Sequence, residues 1–181
     1  MGALVRTFPA KSILWTLKEG NIIDEPVDVL ICSANVSLNL SGGVGADLLG
    51  RYGMKMQKEL HKIIASRTPH AAQRGEVFIY AGTELPYKAV LHAVAVDGWY
   101  KSSPEIVREI VEKSFQMAMN LNAQKVALPA LATGFGNLTL KDFADAIRPL
   151  LHRDFPPIKE VCICLMEDYR VAELADYLFV A

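Results

Sequence analysis

Short apolar runs alternate along this chain with longer segments whose apolar positions recur every three to four residues. The short runs, at 12–18, 27–32, 77–81, 89–96, 126–128 and 161–166, read as strands, with Leu85, Pro86 and Tyr87 as a turn between the third and fourth. Five of the six residues at 27–32 are apolar, which predicts a central strand covered on both faces. At 104–121, Val107, Ile110, Val111, Ser114, Ala118 and Leu121 share one helical face, and Ser103 followed by Pro104 is a strong start signal. Thr139 with Asp142 three residues later predicts a capped helix carrying Phe143, Ile147 and Leu151, which Pro149 should end or kink. A last helix over 169–179 packs Val171, Leu174, Ala175 and Leu178. Strands alternating with helices in this way predict a layered α/β fold with a largely parallel sheet.

With 181 residues and no linker, repeat or biased tract, the chain reads as one domain over 1–181, its core at about 12–180. Hydrophobic residues at 51% and charged residues at 22% exclude a disordered chain. The formal charge of -1 supplies no basic field for nucleic acid or anionic lipid, so an anionic ligand must be caught by local geometry. Cys32, Cys162 and Cys164 lie in apolar runs without zinc-knuckle or C-x-x-C spacing and read as reduced core thiols, with no metal and no cofactor expected. No signal peptide is visible at the start and no apolar stretch approaches a membrane span, so the expected location is cytoplasmic. Trp15, Trp99 and Tyr100 are candidates for exposure beside a site or at an interface; the pattern assigns no oligomeric state.

Two glycine-rich segments carry the chemistry. The first follows the strand at 27–32: Ser33, Ala34 and Asn35, then Ser41, Gly42, Gly43, Val44 and Gly45, before a helix that opens at Ala46, Asp47, Leu48 and Leu49. Glycines between a strand's carboxyl end and a helix start let the backbone approach a ligand closely, and the free first-turn amides favour a phosphate. The second, Ala132, Thr133, Gly134, Phe135, Gly136 and Asn137, also joins a strand to a helix. In an open α/β sheet both loops should reach one crevice, a geometry suited to a diphosphate. A G-x-G-x-x-G fingerprint counted from Gly43 fails because its third glycine falls on Leu48, and no G-K-[ST] follows either loop, so neither a dinucleotide fold nor a P-loop is expected. His92, between Leu91 and Ala93, reads as a satisfied core histidine, and His61, His70 and His152 have no partner spacing.

At these residues the chain resembles the macrodomain family, over about 20–178. Gly20, Asn21, Ile22 is similar to its Gly-Asp-Ile opening, and Val27 to Asn35 to its Val-Asp-x-Ile-Val-Asn-Ala-Ala-Asn strand. Ser41, Gly42, Gly43, Val44 matches its Gly-Gly-Gly-Val, and Arg74 to Val77 with Val90 to Val94 its Gly-Glu and Ile-His-x-Val strands. Pro129, Ala130, Leu131, Ala132, Thr133, Gly134 is similar to Pro-Ala-x-Ser-Thr-Gly. The resemblance implies a three-layer α/β/α fold, a mixed, largely parallel sheet of six or seven strands between helices, with ADP-ribose across its crest. It places Asn21 at the adenine, where the family usually has an aspartate, and Ile22 beneath the ring. Gly42, Gly43, Val44 and Gly45, with Ser41, would take one phosphate and the distal ribose region, Thr133 to Asn137 the other phosphate, and Asn35 the distal ribose hydroxyls. Asp168 falls near the family's aromatic-aspartate pair, with Tyr169 one position late for stacking on adenine.

The same resemblance implies two functions. As a binding module the domain would hold ADP-ribose or a mono-ADP-ribosylated protein through the amide loops. As an ADP-ribosyl hydrolase it would cleave mono-ADP-ribosyl-protein, O-acetyl-ADP-ribose or ADP-ribose 1''-phosphate, using Asn35 and a phosphate-activated water with Asp47 as helper. Three side-chain sets used by catalytic members are incomplete: an aspartate after Gly-Val is Gly45 here, a second-loop aspartate is Gly136, and a histidine before the glycines is replaced by Leu40 and Ser41. Binding of single-stranded RNA or poly-adenylate lacks its usual basic groove and aromatic platform.

Overall fold

The computed structural model describes residues 3–179. The extremities of the expected domain, residues 1, 2, 180 and 181, lie outside them. Seven strands form one sheet: β1 (Val5–Ala10), β2 (Ile13–Glu19), β3 (Val29–Ala34), β4 (Val77–Tyr80), β5 (Ala89–Val94), β6 (Lys125–Pro129) and β7 (Glu160–Leu165). Their spatial order is β1-β2-β7-β6-β3-β5-β4. The five inner strands run parallel, and β1 and β4 pair antiparallel at the two edges.

Five helices cover the sheet: α1 (Gly43–Tyr52), α2 (Lys55–Ala65), α3 (Pro104–Asn120), α4 (Leu140–Leu151) and α5 (Asp168–Phe179). One buried cluster joins α3, α4 and α5 to the sheet through Val107, Phe115, Phe143, Ile147 and Leu174. The other joins α1 and α2 to the opposite face through Leu48, Met56, Leu60 and Ile64. This is the expected three-layer arrangement, with the sheet buried on both sides.

Three differences from the sequence reading have physical causes. β1 went unread because its side chains are exposed or half-buried, so the strand has no continuous apolar run. α2 is a separate helix whose Met56, Leu60 and Ile64 repeat at four-residue spacing. α4 continues two residues past Pro149, as far as Leu151. Its N-terminus carries the full capping box of Thr139 and Asp142, and Ser103 caps α3 through Ile106 N. Of the three aromatic candidates for exposure, Trp99 and Tyr100 are exposed and Trp15 is fully buried in the core. No helix of the described residues is long and apolar enough to cross a membrane.

Candidate functional site

The carboxyl ends of β7, β6 and β3 lie side by side, and the chain leaves β3 and β6 toward opposite faces of the sheet. Parting connections at neighbouring strand ends open a crevice. There the structure has a cleft of ≈ 570 Å³, within the usual size of a small-molecule site.

The first wall is the segment from β3 into α1. Asn35 ties it into a turn: Oδ1 accepts from Ser37 N at 3.0 Å and Asn39 N at 3.2 Å, while Nδ2 donates to Asn39 O. From below, the buried Gln57 side chain accepts from Leu40 N at 2.7 Å and donates to Leu38 O at 2.8 Å. α1 begins at Gly43, three residues before the expected opening at Ala46, so Gly43 and Gly45 belong to its first turn. Gly43 has φ +51, which favours glycine. No side chain caps this helix, and the amides of Gly43, Val44 and Gly45 find no partner among the described residues. Orphan donors at a helix N-terminus are of the kind that suits an anion.

The second wall follows β6. Ala132, a non-glycine at φ 62, sends its carbonyl back across the loop to accept from Leu138 N. A methyl on Gly136 would stand 2.8 Å from the Ala132 carbonyl carbon, and closer to its oxygen, so only glycine fits. The amides of Gly134, Phe135 and Gly136 again have no partner among the described residues. Phe135 is 78% exposed and its ring stands over the first wall, 2.9 Å from where a Gly42 methyl would lie. The two loops therefore face and touch.

Of the sequence-predicted site residues, Asn21, Ile22, Asn35, Ser41, Gly42, Gly43, Val44, Gly45, Asp47, Thr133, Gly134, Phe135 and Gly136 all line this cleft. Asn137 and Asp168 do not. Asn137 turns outward, its Oδ1 accepting from Ser102 N at 2.6 Å, and so ties the second loop to the turn before α3. Asp168 opens α5 and accepts from Tyr169 N. Asn21 makes two bonds within the protein: Oδ1 accepts from Ile23 N, and Nδ2 donates to Asp47 Oδ2 at 3.0 Å. A carboxylate thus enters this end of the cleft from α1.

Sequence reasoning missed Arg170, in the first turn of α5, the one Lys or Arg along the cleft among the described residues. Its guanidinium donates to Thr133 Oγ1 at 2.9 Å, and Thr133 in turn donates to Ala130 O. Met166 was not assigned to the site either, and Tyr100 was named only as a candidate for exposure beside a site or at an interface. Tyr100 lines the cleft from a turn braced by Asp97, whose carboxylate accepts from Trp99 N and Lys101 N. Those amides hold the Asp97 carboxyl below its usual range, the Lys101 bond foremost. His92 is fully buried, as expected, but neither ring nitrogen has a partner among the described residues, so it is not the satisfied core histidine anticipated. Burial pushes it down to about 4, leaving a neutral ring at the cleft floor beside Cys32, which burial pushes up to about 12.

The Macro domain model matches residues 31–147. The chain belongs to the Macro domain family. It is 27% identical over 164 residues to a macro domain-containing protein of Streptomyces griseus, covering 90% of this chain and 93% of that one. It is also 27% identical over 169 residues to the human protein mono-ADP-ribosyltransferase PARP14, covering 92% of this chain and 9% of that protein. In fold it is similar to the Oceanobacillus iheyensis macrodomain with ADP, with a TM-score of 0.86 and 17% identity over 98% of this chain and 96% of that one. The Trypanosoma brucei macrodomain in complex with ADP-ribose gives a TM-score of 0.77 and 19% identity over 92% and 71%.

Proposed function

We propose that the cleft binds ADP-ribose, free or attached to a protein, and that the chain acts as one binding module. The observation that carries this reading is the pair of facing loops with three uncommitted amides each, at Gly43, Val44, Gly45 and at Gly134, Phe135, Gly136. Peptide donors on both sides suit a ligand with two adjacent phosphates, and Arg170 adds a cation beside the second loop. At the other end, Asp47 is held by Asn21 through one carboxylate oxygen, and the second oxygen has no partner among the described residues. That oxygen is suited to accept from an exocyclic amine such as adenine's. In this reading Asp47 supplies the charge that Asn21 lacks, and Asn21 positions it.

The hydrolase alternative has weaker support. Both polar atoms of the Asn35 amide are committed to the turn, and Asp47 is engaged by Asn21 rather than by a site for water. At Gly45 the aspartate of catalytic relatives would crowd Leu40, since its Cβ would lie 3.1 Å from Leu40 Cα. Calorimetric titration with ADP-ribose should give one site per chain, and incubation with a mono-ADP-ribosylated protein should leave the modification in place. No heat of binding would refute the binding module. Release of ADP-ribose would establish the hydrolase instead.

A further inference from the structure

At the edge of this cleft, on the α1 side of the sheet, lies a group of side chains to which the binding reading gives no role, although one of them, Cys164, lines the cleft. Cys162 and Cys164 of β7 point to the same face, and their sulfurs are 3.6 Å apart. Glu25, just after the 3₁₀ turn Ile22–Asp24, brings its Oε2 to 3.9 Å from Cys162 Sγ. All three donor atoms lie within 4.8 Å of one another. On the other carboxylate oxygen, Lys18 donates at 2.6 Å from β2, where it sits in register with Cys164. The Glu25 side chain is only 10% exposed and Cys164 is buried.

We propose that Cys162, Cys164 and Glu25 form a site for zinc, or another thiophilic divalent cation, with three protein ligands and one open position. The spacing fits: tetrahedral zinc with Zn–S bonds of about 2.3 Å holds its sulfurs about 3.8 Å apart and a carboxylate oxygen about 3.5 Å from each. The charge fits as well. Each thiol gives up its proton as it takes the metal, so two protons leave and one dication enters, and the half-buried site keeps its charge. Lys18 fixes the carboxylate through Oε1 and leaves Oε2 turned to the sulfurs, as an outer partner orients a metal ligand. A Cys162–Cys164 disulfide fits less well. Alternate residues of an extended strand are about 6.6 Å apart at Cα, near the upper limit for that bond, while a metal bridges them without moving the backbone.

Cobalt reports this directly. The reduced, metal-free full chain titrated with Co²⁺ should develop, at one equivalent, a thiolate-to-cobalt charge-transfer band in the near ultraviolet and strong tetrahedral bands in the visible, all abolished by one equivalent of Zn²⁺. Cys162→Ser should lose the charge-transfer intensity. Glu25→Gln should keep it and bind Co²⁺ at least tenfold more weakly, with Cys32→Ala unchanged. Only the weak spectrum of hydrated cobalt in the wild type would overturn the proposal, and so would an undiminished band in Cys162→Ser. The wild-type titration decides even if a variant fails to fold. The expected bands do not require ADP-ribose, so this test and the calorimetric one succeed or fail separately.

Discussion

The two amide loops offer the same donors to the cleft and are built on different principles. The first is the opening turn of α1, held from beneath by Gln57, its amides aligned with a helix axis. The second precedes α4, whose N-terminus is already closed by Thr139 and Asp142, so its amides draw nothing from a helix dipole. There the loop relies on its own tightness, the Gly136 backbone pressed on the Ala132 carbonyl, and on Arg170 nearby. An anion site can be made from the end of a regular element or from a compact turn, and the turn tolerates less change.

Substitution can break or sharpen that contrast. Gly136→Ala should have the largest effect, because its methyl has no space and the whole turn must move; ADP-ribose affinity should fall about 100-fold, roughly 3 kcal/mol, by calorimetry. Gln57→Leu removes the two buried bonds under the first loop, and its chemical denaturation midpoint should correspond to about 2 kcal/mol lost, with weaker ligand binding as the loop loosens. Gly43→Ala meets no atom within 4 Å but must hold φ +51, which should cost about 1 kcal/mol, or roughly fivefold in affinity. Gly134→Ala has open space and no such φ, and should change affinity by less than about twofold. If Gly134→Ala weakened binding as much as Gly136→Ala, tightness would not be what distinguishes the second loop.

The inner strands, α3 and the capped start of α4 were legible because apolar period and cap chemistry act locally: Val107, Ile110 and Val111 face the core as their spacing requires. Eleven of the thirteen predicted residues that line the cleft sit in the two segments whose glycines mark them, while Asn21 and Ile22, in the turn after β2, were reached through the family resemblance. Asn137 lies in the second loop but turns to Ser102, because membership of a loop does not set the direction of a side chain, and Asp168, taken from the family's aromatic-aspartate pair, opens α5 without lining the cleft. Gln57, Arg170, Tyr100 and Met166 come from other elements, and only the packing of the fold brings them to the cleft or to its supporting loop. Cys162 and Cys164 are free thiols as read, but the carboxylate beside them was not legible, since it lies 137 positions from Cys162 in sequence and C-x-C spacing gives no sign of it.

The ring of Phe135 arches from one glycine segment to the other and is largely bathed in solvent. An exposed aromatic of this kind changes rotamer in picoseconds to nanoseconds, far faster than a loop or a hinge moves. A roof consisting of one rotating side chain admits a guest without unfolding anything around it. Capture should therefore run at the pace of diffusional encounter, and residence time should be set by how strongly the amides beneath hold on.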